Sequence, residues 1–151
     1  MEFSVRQARF EDIPDMCRLL EELFLIEKDF MPDMEKQERG LSLLVNDKSG
    51  RSLVVVADNG IKIIGMCSVQ LLFSTAEGGN TGLVEDLVVR KDSRGRGIGK
   101  GLLAGICRWC KDHGISRLQL LRDVSNIKAL TFYSKLGWKE TDLTCMRRFL
   151  P

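Results

Sequence analysis

One histidine, one tyrosine, two tryptophans and three prolines are all that the 151 residues hold of those four types. With His113 alone, no pair of imidazoles exists to complete a zinc site, and no metal is expected. Long apolar runs are missing too. Leu53-Val54-Val55-Val56-Ala57 is typical of the chain and far too short to cross a bilayer. Charge of one sign is also lacking: 23 basic against 21 acidic residues leave a net +2, which speaks against a nucleic-acid-binding domain. The opening Met1-Glu2-Phe3-Ser4-Val5-Arg6 has no basic-then-greasy layout, so the expectation is a cytoplasmic chain that engages no membrane. The five cysteines are odd in number and lie among apolar neighbours, as reduced core residues do. Cys107-Arg108-Trp109-Cys110 spells C-x-x-C, but inside a helical pattern rather than at the helix N-terminus, where a thiolate would be stabilised.

What is present reads as an ordinary globular mixture, 44% apolar and 29% charged, with no repeat, low-complexity tract or linker. A single domain over residues 1–151 is the expectation. Phe3 to Ala8 alternates as a first strand, and Asp12 and Pro14 open a helix carrying Met16, Cys17, Leu20, Leu23 and Phe24. An acidic loop (Glu27, Asp29, Asp33) precedes a second short helix through Leu41, Leu43 and Leu44. Leu53–Ala57 and Ile61–Phe73 flank the hairpin signal Asp58-Asn59-Gly60. Ser74 to Gly82 reads as a long turn, and Leu83–Val89 as a strand interrupted only by Glu85-Asp86. A helix from the glycines at 95–101 to His113-Gly114, a strand at Arg117–Leu121 and a helix after Ser125 follow. Trp138–Lys139 and Leu143–Phe149 close as strands. The order β-α-α-β-β-β-α-β-α-β-β predicts a mixed α/β domain.

The most informative stretch is Arg94-Gly95-Arg96-Gly97-Ile98-Gly99-Lys100-Gly101, where a buried strand turns into a helix. Such a turn leaves backbone N–H groups pointing outward at the positive end of the helix dipole. Glycine lets the chain close around an anion without a Cβ in the way, and Arg94, Arg96 and Lys100 add positive charge. A phosphate or pyrophosphate is the natural guest, against the plainer reading of a tightly packed helix start. A P-loop would need Ser or Thr after Lys100, where Gly101 stands. A dinucleotide fingerprint would need this turn at the start of a β-α-β unit, and here it follows an antiparallel meander.

The loop matches the [Q/R]-x-x-G-x-[G/A] acyl-CoA motif of the GNAT superfamily of N-acetyltransferases, which the chain resembles over nearly its whole length. A second block, Asn126-Ile127-Lys128-Ala129-Leu130-Thr131-Phe132-Tyr133-Ser134-Lys135-Leu136-Gly137-Trp138, is similar to that family's N-x-x-A-x-x-F-Y-x-K-x-G-F, with Trp138 for Phe the one change. The resemblance implies a GNAT-type fold in which the Leu83–Val89 strand splays from the Arg117–Leu121 strand. Acetyl-CoA is then the co-substrate, its pantetheine pairing with backbone groups of Leu87, Val88 and Val89 and its pyrophosphate on Arg94, Gly95, Arg96, Gly97, Ile98, Gly99 and Lys100. Asn126 and Tyr133 would approach from the other side.

Acyl transfer to an amine needs a base, a donor for the carbonyl oxygen and a proton for the thiolate. Glu85 is the candidate base, because a carboxylate in a strand of Leu and Val is costly unless paired or working, with Asp86 the other candidate. Period-two alternation would set Glu85, Leu87 and Val89 on one face and Asp86 and Val88 on the other. The Glu-Asp pair is similar to that of the diamine and glucosamine-phosphate branches. Tyr133 stands where many family members protonate the thiolate. The expected activity is therefore acetyl transfer to a primary amine, of a small molecule, in a ternary complex. A CoA-binding sensor or scaffold without turnover and a peptide N-acetyltransferase are the alternatives, and a homodimer stays open. Glu27, Asp29, Asp33, Glu77 and Glu85 would surround the acceptor end and favour a cationic amine.

Overall fold

A computed structural model describes residues 2–151. The chain divides into two compact units, Met1–Leu120 and Leu121–Pro151. In the first, strand β1 (Ser4–Gln7) leads through a 3-10 turn at Phe10–Asp12 into helices α1 (Ile13–Ile26) and α2 (Met34–Val45). A meander follows: β2 (Ser52–Asp58), β3 (Ile63–Ser74) and β4 (Gly79–Val89). A second 3-10 turn, Lys91–Ser93, passes the chain to α3 (Ile98–Asp112), and β5 (Leu118–Leu120) completes the unit. The strands lie in the order β1-β2-β3-β4-β5, antiparallel except for the parallel pair β4–β5.

Helix α1 forms where the apolar spacing demands it, with Pro14 in its first turn, where no N–H is needed. Its face of Met16, Cys17, Leu19 and Leu20 packs on Val54, Val56, Met66 and Val88 of the sheet, together with Leu41 of α2. Helix α3 covers the opposite face through Ile98, Leu102, Leu103, Ile106 and Cys110. Gly65 permits that approach, since a Cβ there would lie 3.1 Å from Leu102 and from the Val88 carbonyl. His113 ends α3, its Nδ1 2.8 Å from the Trp109 carbonyl.

Two expectations are corrected. The meander turn is short, because β3 runs on to Ser74 and β4 begins at Gly79, so only residues 75–78 lie outside strands. The second unit holds one regular element, α4 (Ile127–Lys135), which Asn126 caps by accepting the Ala129 N–H at 3.0 Å. The strands expected at Trp138–Lys139 and Leu143–Phe149 are not formed. Their pattern is strand-like, but a strand needs a neighbour's backbone to bond, and Leu143, Met146 and Phe149 stand exposed.

Candidate functional site: the open edge of β4 and the glycine loop

Strand β4 is shared between two situations. Gly82, Leu83 and Val84 pair with Leu118, Gln119 and Leu120, and there the β5 partnership stops. From residue 85 onward that edge of β4 has no strand beside it among the described residues. On the other side β4 stays bonded to β3, but with a break: Ser68 faces Glu85 and Met66 faces Val88. Two steps along β3 thus correspond to three along β4, which is a β-bulge. Asp86 takes up the extra residue in a left-handed conformation, φ 56°, the one described non-glycine residue with positive φ. Asp tolerates that region better than most side chains.

Alternation is therefore broken where the sequence reading relied on it. Paired residues share a face, so Glu85 and Val88 lie on the same side of the sheet, not on opposite sides. The bulge is held from β3. Ser68, a buried hydroxyl, donates to the Glu85 carbonyl at 3.2 Å, and the Cys67 thiol lies 3.7 Å from the same oxygen. Burial holds the Cys67 thiol well above its usual range, so it is an inert neighbour.

Backbone directions follow from the same register. Arg90 donates its N–H to the Ile64 carbonyl at 2.9 Å, so Arg90 and Val88 turn their backbone groups toward β3. Val89 faces the open edge, and its carbonyl accepts from Arg94 Nε at 2.9 Å. Of the three residues expected to offer backbone to pantetheine, Val89 and, by alternation, Leu87 look outward, while Val88 is engaged within the sheet.

The carboxylates of the bulge differ. Glu85 is exposed, and Asp86 is partly buried. Burial, with the negative charges of Glu85 and Glu27 adding to it, pushes the Asp86 carboxyl up to about 7. A group poised there can hold or release a proton at neutral pH. The wider acidic collar shrinks. Glu77 is engaged by Arg117 at 2.8 Å and by the Ser116 hydroxyl. Asp33 caps α2, accepting from the Lys36 N–H, and pairs with the Lys36 ammonium. Of the acidic residues expected around the acceptor end, Glu85 and Glu27 act on Asp86.

At its C-terminal end β4 meets the glycine loop. Gly95 and Gly97 both have φ 78°, a conformation that costs other residues strain, and a Cβ at either would meet nothing within 4 Å. The space in front of the loop is open. Gly97 is the N-cap of α3, and the helix's own bonding begins with the Gly101 N–H on the Gly97 carbonyl, 2.9 Å. The N–H groups of Ile98, Gly99 and Lys100 thus have no partner within the helix. No acidic side chain occupies the first turn, and Lys100 and Arg96 are exposed beside it. An anionic diphosphate fits these residues on geometry and charge alike. Arg94 behaves differently from its expected role. Its guanidinium folds back to the Val89 carbonyl and lies 3.9 Å from Glu22.

In the second unit, Tyr133 stacks edge-on with Trp138, ring centroids 5.9 Å apart, and with Phe132 at 5.2 Å. The Asn126 side-chain oxygen is used as the α4 cap. The sequence had no signal for the bulge, for Ser68 or for Glu22. Among the described residues no group of three His, Cys, Asp or Glu is placed to hold a metal ion, and no helix is long and apolar enough to cross a membrane.

Comparison with known proteins supplies the rest. A glucosamine 6-phosphate N-acetyltransferase of Trypanosoma brucei brucei is 34% identical over 79 residues, 52% of each chain. The match therefore spans about half the length of that relative. An aminoglycoside N(6')-acetyltransferase type 1 of Stenotrophomonas maltophilia is 25% identical over 114 residues, 74% of each chain. A transcriptional regulator from Bacillus halodurans C-125 has the same fold, with a TM-score of 0.85 at 26% identity over 98% of this chain and 100% of that one. The model of the acetyltransferase (GNAT) family matches residues 13–138, which takes in the bulged strand, the glycine loop and α4, and the chain belongs to that family.

Proposed function

We propose that the protein is an acetyl-CoA-dependent N-acetyltransferase that acts on a primary amine of a small molecule. One observation carries the reading: a partly buried carboxyl, Asp86, set in a β-bulge at the point where β4 loses its β5 neighbour and runs toward the open glycine loop. Acetyl-CoA would supply the acetyl thioester. The loop of Gly95–Lys100 would hold its diphosphate, and the outward backbone of Leu87 and Val89 would align its pantetheine. The relatives that act on glucosamine 6-phosphate and aminoglycosides support an amine acceptor.

Asp86 is the proposed base, with Glu85 beside it as the second candidate. An incoming ammonium must lose a proton before its nitrogen can attack the thioester carbon, and an acceptor with pKa near 7 suits that transfer. As the C–N bond forms, the C–S bond breaks and the sulfur leaves as thiolate. Tyr133, at the family's position in the 126–138 block, is the proposed donor of the proton that neutralises it. The collar of Glu27, Glu85 and Asp86 supports a cationic acceptor, because like-signed walls concentrate opposite charge.

The test is release of CoA thiol from acetyl-CoA across a panel of amines. Turnover with an amine, lost in Asp86→Asn while acetyl-CoA binding persists, is the expected result. Binding of acetyl-CoA without turnover on any amine class would favour a sensor.

A further inference from the structure

Helix α1 reaches across the sequence to the cofactor loop through a single side chain. Glu22 accepts the backbone N–H of Lys91, 69 residues away, at 3.1 Å. The same carboxylate oxygen lies 3.9 Å from Arg94 Nη2. Arg94 in turn donates through Nε to the Val89 carbonyl. We infer that Glu22 and Arg94 form a clasp that positions the anion-binding loop, so that Arg94 serves the cofactor by geometry and not as a phosphate contact.

Lys91 begins the 3-10 turn that carries β4 into the loop, and that turn has no capping bond from its own N-cap residue, Arg90, whose side chain is committed to Asp92. An uncapped N–H at such a start needs a partner from elsewhere, and a carboxylate accepting it makes a charge-assisted bond. Glu22 supplies it from a helix fixed by Leu19, Leu20 and Leu23 in the core. The ion pair with Arg94 contributes little by itself, because both side chains are a third or more exposed and 3.9 Å is long. Its value is directional. With its Nε on Val89 and its Nη2 drawn to Glu22, the guanidinium spans from the strand's last carbonyl to α1, and the chain between, residues 90–94, is pinned at both ends. The amides of residues 95–100 inherit their direction from that pinned segment. A rigid carbonyl-to-carboxylate bridge is a task for Arg's planar fork, and the single ammonium of Lys cannot make both contacts.

This inference rests on acetyl-CoA being the loop's ligand. The experiment measures KM for acetyl-CoA, kcat and direct acetyl-CoA binding by calorimetry for the full chain and for Glu22→Ala, Glu22→Gln, Arg94→Lys, Arg94→Gln and Glu22→Ala/Arg94→Gln. Glu22→Ala is expected to raise KM and Kd about five- to tenfold with kcat within twofold, and Glu22→Gln, which keeps an acceptor for Lys91, two- to threefold. Arg94→Lys should be as impaired as Arg94→Gln, and the double variant no worse than twofold beyond Arg94→Gln, because the two residues act as one unit. The salt dependence of Kd should be unchanged in Arg94→Gln and shallower in Lys100→Gln. Wild-type affinity in Glu22→Ala, rescue by Arg94→Lys, or additive effects in the double variant would overturn the clasp while leaving the enzyme assignment intact. Failure of the unmodified protein to bind acetyl-CoA would overturn both.

Discussion

The two halves of β4 show the same strand put to opposite uses. From Gly82 to Val84 it is bonded on both edges, packed so closely that a Cβ at Gly82 would come within 2.5 Å of Leu118. From Glu85 to Val89 one edge is left open and the other carries a bulge. The first half is structure in the ordinary sense, with a strand on either side of it. The second half keeps backbone groups and a carboxyl available, which costs stability locally and is tolerated because β3, with Ser68 on the bulge carbonyl, holds the strand in place. Where pairing stops, chemistry becomes available.

The sharpest way to break that contrast is Asp86→Asn. It should lower kcat/KM for the amine by roughly 10²- to 10³-fold and remove the acidic limb of the pH profile, which in the unmodified enzyme should rise through a pH of about 7 as Asp86 ionises. Glu85→Gln should cost less, about tenfold or under. If Glu85→Gln erased the limb and Asp86→Asn did not, the two carboxylates would exchange roles. Tyr133→Phe should reduce kcat by about 10²-fold and leave acetyl-CoA affinity nearly intact.

A second test addresses the loop beyond the open half. Acetyl-CoA at a hundredfold excess over Kd should stabilise the protein by about 2.7 kcal/mol. Gly97→Val should remove that thermal shift, since it places a side chain in the open space before the α3 N-terminus and forces a β-branched residue to φ 78°. A retained shift would move the diphosphate elsewhere.

Stability against pH gives a smaller but independent signal. The folded-state value of Asp86 lies above its unfolded value of about 3.9, so the native state holds a proton that the unfolded chain releases. Its contribution favours folding below the unfolded value and is lost as pH rises toward about 7. Asp86→Asn should therefore be more stable than the unmodified protein at pH 8, with the gap closing toward pH 4, as read from urea midpoints. The smallest effect concerns the acceptor. A diamine should be preferred several-fold over an amine carrying a phosphate, and the preference should fall as salt is raised, because Glu27 and Glu85 are screened.

Much of this was legible from residues alone where the pattern is local. The glycines of 95–101 announced both the loop and the start of α3, because left-handed backbone and helix N-termini are read from composition at fixed positions. The face of α1 and the hairpin at Asp58-Asn59-Gly60 were equally readable, whereas the cap of α4 is Asn126 and not Ser125, the residue just before it. Alternation failed at Glu85-Asp86, since a bulge is a property of two strands in register and one strand's sequence does not contain it. The acidic collar was overcounted for a similar reason: nothing near Glu77 in the chain reveals that Arg117 will meet it.

The sequence by itself determined the resemblance to the family, the glycine-rich turn that opens α3 and the presence of two adjacent carboxylates in an apolar strand, because each is encoded by neighbours a few positions apart. Only the tertiary structure decided which carboxylate is desolvated, where β5 stops pairing, and that Glu22 closes on Arg94. Those outcomes depend on distances between segments tens of residues apart, and burial and Coulomb interactions take their size from such distances alone.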